Sequence, residues 1–142
     1  MKIKMTLVGL FLAFLVIQWF PYAHDHKNPR IVAEPAWDSP ITRELARRAC
    51  FDCHSNETVW PVYARFAPVS WLVYSDVMEG REKLNFSEWN RPQKEAGKSA
   101  DEIREGEMPM PIYLLMHGSA KLNAAEQQAL ITGIEKTLGI GK

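Results

Sequence analysis

Two thiols and an imidazole stand together in Cys50-Phe51-Asp52-Cys53-His54, and the chain has no other cysteine. Cys-x-x-Cys-His is the attachment pattern for a c-type haem. Each thiol can add to one vinyl group of the porphyrin and form a thioether. The next residue then presents an imidazole to the iron from one side. Residues three apart share a face of a helical turn, so Cys50 and Cys53 can reach one porphyrin edge with His54 swinging beneath the metal. Other chemistries compete for the same residues. A structural zinc site needs four ligands, and only His24, His26 and His117 are left to complete one. A thioredoxin-like dithiol would use the trailing histidine to depress a thiol pKa, but it belongs beside a βαβ pattern that this sequence lacks. A plain disulfide would suit an oxidising compartment.

A six-coordinate iron needs a second ligand, and the stretch Glu107-Met108-Pro109-Met110-Pro111 offers two. Successive X-Pro steps hold a chain extended, so a methionine here can be aimed at a fixed point. Methionine opposite histidine raises the reduction potential of haem iron. Met108 and Met110 are both candidates on this ground, whereas Met78 and Met116 read as flexible core filler. Trp60 and Tyr63 follow the motif closely and could wall a flat apolar cofactor or pad an ordinary core.

These residues must be positioned by the elements around them. Ser39-Pro40 reads as an N-cap followed by proline at the first helical position. The helix it opens runs from Ile41 to about Ala49, with Ile41, Leu45 and Ala49 on one face, and leads directly into Cys50. A second helix is expected from Pro68 to about Gly80, with an apolar stripe of Val69, Leu72, Val73 and Val77 and a glycine stop. Residues 81–98 read as loop. Ser99 with Glu102 forms a capping-box pattern for a short helix ending near Gly106. A short apolar piece covers 112–117. Asn123 caps a final helix to about Leu138, with Leu130, Ile131, Ile134 and Leu138 buried and Gly139 and Gly141 ending it. No alternating strand pattern is present, so the fold class expected is all-α.

The N-terminus is of another kind. Lys2 and Lys4 precede an uncharged run from Met5 to Phe20, which approaches the ~20 residues of a spanning helix when extended through Ala23. The flanking lysines would stay inside, and Pro21 weakens a small-residue cleavage site. The expectation is therefore an uncleaved anchor (or, failing that, a signal peptide) over 1–23. A proline-punctuated linker follows over 24–38 and a single domain over 39–142. This predicts a single-pass protein of the inner membrane with its domain on the extracytoplasmic side. With 17 basic and 17 acidic residues and no net charge, no basic field favours nucleic acid.

The residues also carry a family likeness. Cys50 to Asn56, Trp60-Pro61 with Tyr63, Ala67 to Trp71, Glu79-Gly80-Arg81, Leu84 to Ser87, Gly106 to Pro109, and Tyr113 with His117 occur in the order found in the small bacterial haem-binding domain proteins of the cytochrome c type, which this chain resembles over roughly residues 40–138. The resemblance implies a cytochrome c-like helical domain around one covalent haem c. It gives Cys50 and Cys53 as thioether residues, His54 as proximal ligand and Met108 as the preferred sixth ligand. His117 falls at another motif position and keeps bis-histidine ligation open. The family often has a second proline after Met-Pro, where this chain has Met110.

The function expected is one-electron transfer by a membrane-tethered monohaem cytochrome, an electron carrier rather than an enzyme, meeting redox partner proteins of the membrane or periplasm. A gas sensor or small peroxidase is the alternative and needs an open sixth position with His117 or Arg65 as distal group. A thiol–disulfide oxidoreductase using Cys50 and Cys53 is the third reading.

Overall fold

The computed structural model describes residues 2–23 and 25–140. His24 and Gly141, named above as a zinc candidate and a helix stop, lie outside them. The described residues form seven α-helices: α1 (Lys2–Ile17), α2 (Pro40–Ala49), α3 (Phe51–His54), α4 (Val69–Lys83), α5 (Ser99–Arg104), α6 (Pro111–Leu114) and α7 (Ala124–Leu138). Short 3-10 turns cover Val62–Arg65, Ala96–Lys98 and Gly118–Ala120. A single isolated bridge joins Ala33 and Glu88, so the described residues are helical without a sheet, as expected.

The chain divides into two compact units. One contains the residues up to Lys27 with Val59–Asp76, and the other contains Asn28–Thr58 with Val77–Lys142. α4 contributes to both.

In the first unit, α1 has 16 residues, which at the helical rise is about 24 Å, against a hydrocarbon core of about 30 Å. Among the described residues no helix is long and apolar enough to cross a membrane. The expected transmembrane helix, and the single-pass inner-membrane location built on it, are therefore corrected. The apolar run overstates the helix because its end is polar and locally tied. Gln18 sits just beyond α1. Its amide nitrogen donates to the Phe14 and Ala67 carbonyls at 2.9 and 3.0 Å, and its carbonyl accepts from the Ala67 amide at 2.9 Å. Pro21 follows, with no amide hydrogen to continue a helix. Elsewhere in this unit Trp60 stacks on His26 at 4.5 Å and on Tyr74 at 6.5 Å. Tyr22 meets the edge of Tyr74 at 5.7 Å.

The second unit is built on a core of Leu45 and Ala46 from α2, Phe51 from α3, Leu84, Phe86, Ala100 and Ile103, and Leu130, Ile131 and Ile134 from α7. Phe86 is its aromatic centre, with Trp37, Phe51 and Trp89 at 5.1, 5.6 and 6.0 Å. α2 begins as expected: the Ser39 hydroxyl accepts from the Thr42 amide at 3.2 Å, and Pro40 occupies the first turn. Its buried face is rotated from the expected one. Thr42, Leu45, Ala46 and Ala49 are buried, while Ile41 is 68% exposed. The reason is Gly133 on α7. A Cβ there would fall 2.1 Å from the Thr42 hydroxyl oxygen, so the missing side chain admits Thr42 and brings α2 against α7. α7 carries the full reciprocal cap between Asn123 and Glu126 and ends on Gly139 at φ 65°.

Two helix boundaries differ from expectation. Ser99 does not cap α5 with its side chain. Its hydroxyl donates back to the Ala96 carbonyl at 2.7 Å, and the cap position falls to Lys98. α4 runs past Gly80 to Lys83. Val69 and Leu72 are exposed, and its buried positions are Ser70, Val77, Gly80 and Arg81.

Candidate functional site

The attachment motif forms one tight helical turn. The Cys53 and His54 amides both donate to the Cys50 carbonyl, at 3.2 and 2.9 Å. α2 feeds this turn directly, since the Cys50 amide donates to Ala46 at 2.7 Å. Its back rests on α4 at Gly80, where a Cβ would stand 2.5 Å from the Cys53 carbonyl oxygen. Only glycine permits this approach. The residue read as a helix stop is therefore the contact point between α4 and the motif.

That approach orients His54. Its Nδ1 lies 3.1 Å from the Gly80 carbonyl and 3.1 Å from the Leu84 carbonyl. Both neighbours are acceptors, so Nδ1 must carry the proton, and the lone pair is left on Nε2. Metal-bound histidines are oriented in this way by their second nitrogen. Burial lowers the His54 pKa, more than the two carbonyl contacts raise it, so the imidazole is neutral and able to bind a metal.

The turn is locked from behind by buried polar groups, most of them in the stretch 81–98 that reads as loop. The Phe86 amide donates to the His54 carbonyl at 2.8 Å. Arg81 Nε donates to the Ser55 carbonyl at 2.8 Å, and the Asn56 amide donates to Ser87 at 2.9 Å. Asn85 Nδ2 donates to the Asn56 side-chain oxygen at 2.9 Å. Asn56, Asn85 and Ser87 are buried, where unmet polar groups would be costly. The only signal for them in the sequence was the run of family motifs in which they occur.

A cavity of about 280 Å³ opens in front of the turn. Cys50 and His54 form one part of its wall, Leu84, Phe86, Ile103 and Ile134 an apolar part, and Met108 another. Lys83, Glu95, Lys98, Ser99 and Glu102 complete the lining. Met108 is placed by α5, because its amide and that of Glu107 both donate to the Glu102 carbonyl, at 3.1 and 3.0 Å. Met110 is extended (φ −54°, ψ 133°) as a residue before proline should be, and it opens α6. It does not line the cavity, nor does His117, which stacks on Tyr113 at 4.0 Å with Nδ1 3.0 Å from the Tyr113 carbonyl. Trp60, Tyr63 and Arg65 belong to the first unit. Cys53 shares the helical turn with His54 but is not part of the cavity lining.

The donor set fits a haem. Imidazole and thioether are ligands that haem iron accepts, thiols in this spacing are those that couple to haem vinyl groups, and an apolar wall faces the cavity beside them. A dithiol redox centre fits less well. Burial, with Cys53 alongside, pushes the Cys50 thiol up to about 12. Redox-active thiols are shifted the other way.

Residues 12–136 match the haem-binding domain family. The chain belongs to that family. No curated protein and no solved structure matches it. As a haem-binding domain, the protein carries its Cys-x-x-Cys-His motif on α3 and the Cys50 cap before it, and the match also spans α4, α5 and most of α7, the helices that position the motif and the cavity.

Proposed function

We propose that this haem-binding domain is a monohaem c-type cytochrome that carries single electrons between redox partner proteins. Cys50 and Cys53 would hold the haem covalently, and His54 and Met108 would ligate its iron. The observation that carries the reading is the pair of 3.1 Å contacts from His54 Nδ1 to the Gly80 and Leu84 carbonyls. They leave Nε2 as the free donor on a residue lining the same cavity as Met108 and Cys50. Bound haem supplies the one-electron couple. The chain supplies two attachment thiols, a neutral imidazole of fixed tautomer, a thioether held by Glu102, and an apolar wall that keeps water from the ring. Histidine and methionine together leave no open position for a substrate and favour a high potential.

The test is expression with the cytochrome c maturation apparatus. The product should carry covalent haem, with the pyridine haemochrome spectrum of two thioethers. The Met-to-iron band of the ferric form should vanish in Met108→Ala and survive in Met110→Ala. A colourless, thiol-titratable product would sink the haem reading. Loss of the band in Met110→Ala alone would move the ligand to Met110. Rapid binding of carbon monoxide to the ferrous protein at neutral pH would replace the carrier by a protein with an open sixth site.

A further inference from the structure

Haem brings two ionised propionates as well as a disc, and they lie on the porphyrin edge away from the vinyl groups that meet the cysteines. An ionised carboxylate is costly to bring to an apolar cavity without a partner. The apolar wall of the cavity offers none, and the Nδ1 of His54 is already turned to the Gly80 and Leu84 carbonyls. The cations among its lining residues are Lys83 and Lys98.

These two lysines belong to one continuous rim. The Glu95 amide donates to the Lys83 carbonyl at 3.1 Å, and the Lys98 amide donates to the Glu95 carbonyl at 3.0 Å. Lys83 directly precedes Leu84, whose carbonyl accepts from His54 Nδ1. The backbone that sets the imidazole therefore also sets this cation. Both side chains are paired at the surface: Lys83 with Glu79 at 2.6 Å and Lys98 with Glu95 at 2.8 Å, the lysines being 52% and 69% exposed. Exposed pairs of this kind are weak, and a flexible four-carbon stem lets each ammonium turn to a better partner.

We propose that Lys83 and Lys98 anchor the two propionates of the haem, exchanging Glu79 and Glu95 for them. The inference rests on the haem reading of the cavity. It assigns Glu95 a definite and opposite role: it competes for Lys98 and repels the incoming carboxylate.

The test uses the full chain, purified without haem and with reduced thiols. It is titrated with ferric mesoporphyrin, which lacks vinyl groups and so cannot couple to the cysteines, and with its dimethyl ester, which lacks the carboxylates. The unaltered protein should bind the free acid more tightly than the ester. Lys83→Gln and Lys98→Gln should each weaken the free acid by about two- to fivefold, and the double variant by about tenfold, with no change for the ester. Glu95→Gln should tighten the free acid and leave the ester unchanged. Equal losses for acid and ester in the lysine variants, or weaker binding in Glu95→Gln, would overturn the proposal while leaving the haem reading in place. Failure of the unaltered protein to bind either porphyrin would overturn both.

Discussion

The Tyr113 hydroxyl donates a 2.7 Å hydrogen bond to the Asp52 carboxylate. Asp52 lies between the two cysteines, and Tyr113 lies on α6, just beyond the Met108–Pro111 strap. The bond therefore pins the far end of the strap to the attachment turn, while the Glu102 carbonyl holds its near end through the Met108 amide. A strap fixed at both ends keeps Met108 at the cavity without a long helix to carry it.

Tyr113→Phe should loosen that arrangement without disturbing the apolar packing of the ring. A charge-assisted hydrogen bond that is partly buried is worth about 1–2 kcal/mol, and urea unfolding should show a loss of that size. In the haem-loaded protein the same variant should weaken the Met-to-iron band, whereas Asp52→Asn, which keeps an acceptor, should preserve most of it. An unchanged band in Tyr113→Phe would show that the strap is held by Glu102 alone.

Gly80→Ala puts a Cβ 2.5 Å from the Cys53 carbonyl oxygen. The obstacle is backbone on both sides, so relief requires α3 to move from α4 and carries His54 away from its two carbonyls. Alanine gains about 1 kcal/mol in a helix interior, yet overlap in a packed interface costs about 1–3 kcal/mol. Net destabilisation is expected in thermal unfolding, together with a reduced yield of haem-loaded protein. Gly97→Ala is the control, because no atom lies within 4 Å of its Cβ position, and it should behave as the unaltered protein.

Acid should weaken the anchoring of the segment before α2. Glu34 accepts two hydrogen bonds from Arg43, at 2.7 and 2.6 Å, and one from Trp37 Nε1 at 2.8 Å. Its pKa is lowered, first by the Arg43 hydrogen bonds. A carboxylate with a depressed folded pKa contributes stability that is present above its unfolded value near 4.5 and is lost as pH falls through the folded one. Glu34→Gln should lose about 1 kcal/mol or less at neutral pH and should show a smaller drop in urea midpoint on going to pH ~3. An identical drop in both proteins would place the acid sensitivity elsewhere.

Much of this protein was legible along the chain because the signals concerned are local. Cys50, Cys53 and His54 announce their chemistry by type and spacing within five residues. Ser39-Pro40 and Asn123 with Glu126 announce helix starts through groups that bond within one turn. The prolines around Met108 and Met110 restrict the backbone beside them, so an extended strap was foreseeable. What it would be fastened to was not.

The features that the chain does not show share a cause. Neither Gly80 nor Gly133 reveals its role along the sequence, because a glycine's use for close approach depends on a partner far away in sequence, Cys53 in one case and Thr42 in the other. The same close approach of α2 to α7 turned Ile41 outward and Thr42 inward against the apolar pattern. Gln18 lies within the uncharged run, yet its amide bonds to the Ala67 backbone just beyond the end of a helix of 16 residues.

The motif from Cys50 to His54 was thus determined by the sequence alone, since the bonding capacities of thiol and imidazole need no partner to be recognised. The tautomer of His54, the presence of Met108 rather than Met110 at the cavity, and the rim that joins Lys83 to Lys98 were decided only by tertiary structure. Each depends on which backbone carbonyl or side chain packing brings within about 3 Å, and the sequence separation of those groups carries no trace of that distance.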